Sequence, residues 1–551
     1  MKISKLTKAA FGLFFFAYTL LAHADFGQYV DANNIYHIKT AAKGGNDSNP
    51  CTASKPCLTL ATACTKVTRS GSVIHVNVGT FVETSVCNKA IGVSIVGEGK
   101  TLSLIYSSYS ANNLVQAVST TEGTIDNSEI KDIGWNGNST IGFGAIYVQG
   151  RSGVLVHDNN FADFLNNATT FNGRADNTYN FAPKVFATGN KFYNNTVSNS
   201  SLYSTNGTGS VQYGGQDGIL IYGNNISTAG RGTSAVTGWP IKYYRGGYNK
   251  NDKIFNNILT KPDMDGTGGF GFVGELWHGL GGTEIYGNTI TGGTFDMNCY
   301  EKGISAYSID FHDNRAGFAS MATVANQSIL SLESSASDVL FRNNYVYNMA
   351  AAGSAVYVYS HTTQPRFNNI KIINNIVVDS RLTNFAAQGT GSTATFNNWL
   401  IANNTLYHKT VGTEGIRVPV YGKVSNIQVR NNIVSGFTTA PVIYDGAATA
   451  FLDGLSIENN LFFNNGNSNL LKTSGATNQP TNLTVQNQIN TDPLFVVNGT
   501  DYRIQTTSPA KNKGIDVGVG TDFIGLRRTS LPDIGALEFD ENVDSTNVAQ
   551  P

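Results

Sequence analysis

Between Lys242 and His361 the chain gathers side chains of the kinds that handle sugars and glycosidic bonds. Lys242, Tyr244 and Arg245 lie in the segment IKYYR, and Glu275, Trp277 and His278 in GELWH. Glu301 and Lys302, then Glu333, then Tyr357, Tyr359 and His361 follow. Cleavage of a uronate polymer by β-elimination needs a cation for the sugar carboxylate, a base for the neighbouring ring proton and a donor for the leaving oxygen. Lys242, Arg245, Tyr244 and His278 are of those types, and Lys250 and Lys253 add positive charge. Hydrolysis instead needs two carboxyl groups roughly 5 to 9 Å apart, which Glu275 with Glu301, or Glu301 with Glu333, would supply if they stack. The candidate catalytic residues are therefore Lys242, Arg245, Glu275, His278 and Glu301. Tyr244, Trp277, Lys302, Glu333, Tyr357, Tyr359 and His361 are candidates for substrate binding, because aromatic faces pack against pyranose rings. No cofactor is required, although Glu275 and Glu301 would also offer oxygen ligands to Ca²⁺. The same residues have a purely structural use, since stacked Lys-Glu and Tyr-Trp pairs hold a sheet together.

These residues can act together only if something stacks them, and the chain repeats. A short apolar-polar alternation ending in Asn recurs as VLVHDNNF from Val154, ILIYGNNI from Ile219, KIFNNI from Lys253, TEIYGNTI from Thr283 and VLFRNNYV from Val339. It returns as KIINNI from Lys371, WLIANNTL from Trp399, IQVRNNIV from Ile427 and LSIENNLF from Leu455, with weaker copies at Gly189-Asn190 and Asp313-Asn314. The mean spacing is about 30 residues, the mark of a stacked repeat. Period-two alternation predicts a strand in each copy. Asn ends it because it tolerates the left-handed conformation, and stacked amides can bond from coil to coil. Further strands precede many copies, as in AIYVQG from Ala145 and AVYVYS from Ala355. The expected fold is all-β, a parallel β-helix of about 13 rungs spaced ~4.8 Å apart. Aligning Arg245-Gly246 with His278-Gly279 places Lys242 over Glu275 and Tyr244 over Trp277. His157 and His312, each before Asp-Asn, read as turn-edge residues, and Asp263-Met264-Asp265-Gly266 as a polar turn rather than a calcium loop.

The ends and the composition narrow the class. Lys2, Lys5 and Lys8, an apolar run from Ala9 to Leu21 and Ala22-His23-Ala24 form a secretory signal with cleavage expected after Ala24, which predicts a secreted or periplasmic protein. The apolar run is too short for a confident membrane span. A formal charge of −1 gives no argument for a nucleic-acid partner. Cys51, Cys57, Cys64 and Cys87 cluster near the mature N-terminus, where two disulfides in any of three pairings would staple a cap. Leu58 to Val67 is the expected capping helix, and Cys299 a buried free thiol. The expected organisation is a signal over 1–24, a disulfide-bonded cap and first rungs over 25–90, the coil over 91–480, and a closing segment and tail over 481–551.

The N-terminal run GGNDSNPCTASKPCLTLATA from Gly44, SGSVIHVNVGTFVE from Ser70 and VSIVGEGKTLSLI from Val93 resembles the entry pattern of secreted bacterial right-handed parallel β-helix proteins, the pectate-lyase-like superfamily. TDPLFV from Thr491, DYRIQTTSPAKNKG from Asp501 and PDIGALEF from Pro532 resemble their closing pattern. With the repeats, the resemblance spans nearly the whole mature chain and implies right-handed coiling and a polysaccharide ligand. The chain lacks the polygalacturonase acid set, the Asp-Pro-His of alginate epimerases and the Arg-x-Pro-x-x-Arg of pectate lyases. The resemblance therefore selects no single reaction. The sequence reading is a monomeric, exported lyase acting by β-elimination on an acidic polysaccharide. A glycoside hydrolase using paired carboxylates and a non-catalytic binding or adhesive solenoid are the alternatives.

Overall fold

The computed structural model describes residues 34–139, 141–176, 181–201, 208–228, 238–244, 247–261, 272–298, 306–318, 328–349, 353–360, 365–387, 394–419, 422–444, 451–466, 471–473 and 481–541. Arg245, Glu301, Lys302, His361, Cys299 and Asp263 to Gly266 lie outside them, as do the signal segment and the side chain of Trp277.

The chain coils as a right-handed parallel β-helix with three faces. The first face is a ladder of sixteen strands running from Ile35–Ile38 to Thr484–Gln486. The other strands of the coil divide by their pairings into two ladders. The second face carries short strands such as Ile258–Thr260, Thr289–Thr291 and Tyr345–Tyr347. The third carries Trp239–Tyr243, Phe272–Trp277, Thr294–Asn298, Ser328–Glu333 and Ser354–Ser360. Parallel register stacks like on like. Val156, Phe192, Ile221, Ile254, Ile285, Phe311 and Phe341 follow one another inward on the first face, and all are fully buried. No rung could bury these groups alone, so the stack itself is the core.

The Asn phrase resolves into two positions with different work. Its first residue takes positive φ, as at Asp158, Asn194, Gly223, Asn256, Gly287, Asp313 and Asn343, a conformation that only Gly, Asn and Asp adopt at low cost. Its second residue is an inward Asn. Asn159, Asn195, Asn224, Asn257, Asn288, Asn314, Asn344, Asn375, Asn404, Asn432 and Asn460 form one continuous ladder that ends on Gln488. In each step the backbone N–H of one member donates to the side-chain oxygen of the next at 2.9 to 3.2 Å. The copy at Gly189-Asn190 belongs to another corner: Asn190 accepts from Val154 N and donates to Gln216, while Asn195 fills the ladder.

The predicted capping helix is Leu60–Lys66, with Thr59 Oγ1 accepting from Thr62 N at its start. Cys64–Cys87 ties it to the coil, and Cys51–Cys57 closes the loop before it. Glu83 accepts from the free N–H groups of Leu60 and Ala61 at 2.7 and 3.2 Å, satisfying donors that a helix leaves open. The closing segment folds back along the second face. Phe495, Tyr502, Ile504, Ile534 and Ala536 pack on Ile376, Val378, Ile433 and Leu461. Left-handed asparagines also hold it from the coil side: Asn374 donates to Thr521 O and Asn431 to Ile515 O, both at 2.7 Å.

Candidate functional site

On the third face, period-two alternation sends Ile241, Tyr243, Leu276 and Phe295 inward, where they are buried, and Lys242, Glu275 and Asp296 outward. The register places Lys242 beside Glu275, as the alignment of the two segments predicts, and Glu275 beside Asp296. Asp296 is followed by Ser331 and then Tyr357, while Glu333 stands next to Tyr359. Glu275 Oε2 lies 2.6 Å from Lys242 Nζ, and that ammonium also sits 4.2 Å from the centre of the Trp239 ring. Tyr357 and Tyr359 align their rings at 6.0 Å and 21°. Tyr244 meets Tyr147 edge to face at 6.2 Å.

Asp296 is the residue that sequence reading missed. It is 1% exposed, and Glu275 and Glu333 are 6% and 7% exposed. Burial first, then the charge and hydrogen bond of Glu333 and the charge of Glu275, hold the Asp296 carboxyl well above the ordinary carboxylate range, against a smaller opposing hydrogen bond from Ser331. Three acidic groups thus share one patch with one lysine. The signal was present in TFDMN at Thr294–Asn298, where the buried Phe295 and Met297 flank an acid. It was hidden because only Gly292 and Gly293 separate this strand from Thr289–Thr291, so it arrives early against the 30-residue period.

The other sequence candidates separate. His278 leaves the face at the end of its strand: it has positive φ, is 2% exposed and stacks on Tyr248 at 5.2 Å. Trp277 aligns with Asn298 in register. Lys253 belongs to the first face and pairs with Glu284 at 2.5 Å, and Lys250 pairs with Asp217 at 3.2 Å. A calcium ion at Glu275 would have to compete with Lys242. Glu284, Asp310 and His312 bring ligand-type atoms within 4.8 Å of one another on the first face. Lys253, Arg342 and Asp313 already engage them.

His157 and His312 are the ends of an outward aromatic ladder. His157, Tyr193, Tyr222, Phe255, Tyr286 and His312 stack at 4.5 to 4.9 Å with interplanar angles of 7° or less. Asp158 and Glu129 hold the first imidazole and Asp313 and Glu284 the last.

No protein-family model and no curated protein matches this chain. Among solved structures, it is similar to variants of the tailspike protein of E. coli bacteriophage HK620. A double mutant in complex with a pentasaccharide aligns with a TM-score of 0.50 at 11% identity, and a variant in complex with a hexasaccharide with 0.51 at 12%. Each alignment covers 79% of this chain and 79% of the other. At such identity the likeness establishes the parallel β-helix fold.

Proposed function

We propose that this protein is an exported glycoside hydrolase that cleaves a polysaccharide on the third face, at Glu275, Asp296 and Glu333. The observation that carries the reading is a pair of neighbouring carboxyl groups in unlike surroundings. Burial and the charge of Glu333 raise the Asp296 pKa, which suits it to donate a proton, while Glu275 lies 2.6 Å from the Lys242 ammonium. Hydrolysis requires that division of labour, a proton donor to the leaving oxygen and a carboxylate as nucleophile or base. Adjacent strands lie ~4.8 Å apart, close to the ~5 Å carboxyl separation of retaining enzymes. Asp296 would protonate the glycosidic oxygen as its bond to the anomeric carbon breaks. Glu275 would take the anomeric carbon, and water, deprotonated by Asp296, would release it.

Elimination would need a cation free to meet a uronate carboxylate; among the described residues of the patch Lys242 is paired with Glu275, which supports the hydrolase reading. The tailspike proteins of like fold are held in complex with oligosaccharides, which agrees with a carbohydrate ligand. The test is incubation with acidic and neutral polysaccharides while following reducing ends and unsaturated-uronate absorbance. Reducing ends alone are expected, and they should vanish in Asp296→Asn. Absorbance growing with the reducing ends would mean elimination, and neither signal would leave a non-catalytic binder.

A further inference from the structure

On the first face a groove opens beyond the aromatic ladder that ends at His312. Its volume is about 600 Å³, and it crosses four successive strands, Ala336–Arg342, Arg366–Ile373, Thr395–Ala402 and Lys423–Arg430. One edge is a row of exposed side chains at left-handed corners, Asp338, Asn369, Asn398 and Asn426, with φ of 52 to 58°. Asn369 donates to Asp338 at 3.0 Å, Asn398 to Asn369 at 3.2 Å and Asn426 to Asn398 at 2.7 Å. An amide carries two N–H groups and an oxygen with two lone pairs, so Asn369 and Asn398 each keep one donor and one acceptor site for a ligand. The floor is Leu340, Lys371 and Leu400, which succeed one another in register. The backbone alone does not demand the row. Lys191 also lies between two leucines, Leu155 and Leu220, yet the left-handed corners there are Gly153, Gly189 and Gly218.

Charge on the four strands is unbalanced. Arg342 pairs with Asp310 on the rung before and Arg430 with Glu458 on the rung after. Arg366, Lys371 and Lys423 are exposed and have no ion-pair partner among the described residues. They face a single acid, Asp338. We infer that this groove holds a linear acidic polysaccharide without cleaving it, one sugar to a rung, with hydroxyls on the amide row and a carboxylate on Lys371. The inference goes beyond the hydrolase reading and does not need it, since Glu275 and Asp296 lie on the third face. Rungs repeat at ~4.8 Å, close to the length of a pyranose in an extended chain, so the row offers each sugar the same donor and acceptor. An extended peptide advances by only ~3.3 Å per residue and falls out of step. A single-stranded nucleic acid binds on stacking platforms, but Trp399, beneath the groove, is 1% exposed and donates inward to Phe367 O.

The test is electrophoresis of the full-length protein through gels containing alginate or gellan, or the carboxyl-reduced form of each. The acidic polymers should retain the protein, and carboxyl reduction or added salt should weaken retention. Lys371→Ala should weaken retention by the acidic polymers on the order of tenfold and shrink their advantage over the reduced forms. Asn398→Gly keeps the corner, because glycine adopts positive φ freely, and should weaken retention by both forms. Lys191→Ala should behave as wild type; melting curves identify variants that fail to fold. No retention by either acidic polymer, equal retention by acidic and reduced forms, no change in Lys371→Ala or Asn398→Gly, or an equal loss in Lys191→Ala would overturn the groove. Equal retention by gels containing single-stranded DNA would overturn it as well. Release of reducing ends, measured separately, decides the hydrolase reading alone.

Discussion

Neighbouring asparagines of one Asn-Asn pair should respond oppositely to substitution, and Asn256-Asn257 provides the test. Asn257 is 1% exposed. Its Nδ2 donates to Ile221 O at 2.9 Å and Asn288 Oδ1 at 3.0 Å, and its Oδ1 accepts from Asn224 N and Nδ2 at 3.0 and 2.9 Å. Asn257→Ala would strand the Asn224 backbone N–H, while the Ile221 carbonyl keeps the ladder bond from Phe255 N–H, Asn224 Nδ2 keeps Phe192 O and Asn288 Oδ1 keeps the backbone N–H of residue 257. One buried orphan at about 1 to 3 kcal/mol gives a loss of about 2 kcal/mol. Asn256 is exposed with φ of 54°, and Gly adopts that conformation freely, so Asn256→Gly should shift stability by less than about 1 kcal/mol. Spread over a rod of this length, at about 2 cal/mol/K per residue, the larger loss lowers the melting temperature by only ~2 °C if the chain melts as one unit. Native-state hydrogen exchange is sharper, because a solenoid opens locally. Protection of amides in the rungs of Asn224 and Asn257 should fall roughly thirtyfold in Asn257→Ala and stay near wild type in Asn256→Gly. Equal loss in both variants would refute the division of the pair into a turn residue and a ladder residue.

Other consequences are quicker to test. Asp296→Asn and Glu275→Gln should each lower turnover on a cleavable polysaccharide by at least about a hundredfold with an unchanged melt; retained turnover in both would move the chemistry elsewhere. Asp252 is fully buried and accepts from Tyr213 and Tyr243 at 2.7 Å and Thr283 at 2.8 Å. Asp252→Ala should therefore cost roughly 3 to 5 kcal/mol by leaving three hydroxyls unmatched, read by denaturant unfolding, and Asp252→Asn clearly less. For His157, burial disfavours the charged ring, but hydrogen bonds to Asp158 and Glu129 prevail and raise its pKa. Its contribution is thus fully present below the unfolded value of about 6.5 and is lost as pH rises through the folded pKa. His157→Gln should remove that loss from a stability profile between pH 6 and 9, and an unchanged profile would sink the assignment.

The coil was legible because its signals are local and repeated. A two-residue alternation fixes the inward column from Val156 to Phe341, and Asn at each corner fixes the period. The register of Lys242 over Glu275 was legible from matching Arg245-Gly246 to His278-Gly279 in the sequence, because parallel stacking carries an alignment along the whole strand. What stayed hidden depends on turn length and on neighbours distant in sequence. Asp296 arrives after a short turn and falls out of step with the period. His157 and His312 look alike in any turn, and only the four rings between them reveal a ladder. The lateral path of the closing segment depends on outward Ile376, Val378, Ile433 and Leu461, apolar positions that alternation alone marks as anomalies.

The same facts argue for the third face as the place where a linear ligand is cleaved. On the first face the aromatic stack spends its ring faces on one another at less than 5 Å, so only ring edges remain for a sugar, and imidazoles close both ends. On the second face, the strands from Tyr345–Tyr347 to Leu461–Phe463 lie beneath the closing segment. The part left open shows Ile258, Thr289 and Arg315 without any clustered acids. On the third face Lys242, Glu275 and Asp296 lie side by side on successive strands, followed by Ser331 and Tyr357, so the acids line up along the axis, though Glu275, Asp296 and Tyr357 are themselves buried. A ladder built only for stability would gain more from alternating opposite charges on adjacent strands, as Lys242 and Glu275 do, than from setting Glu275 beside Asp296. On the hydrolase reading, that unfavourable neighbour pair, held in place by the regular coil around it, is the mark of chemistry among the described residues.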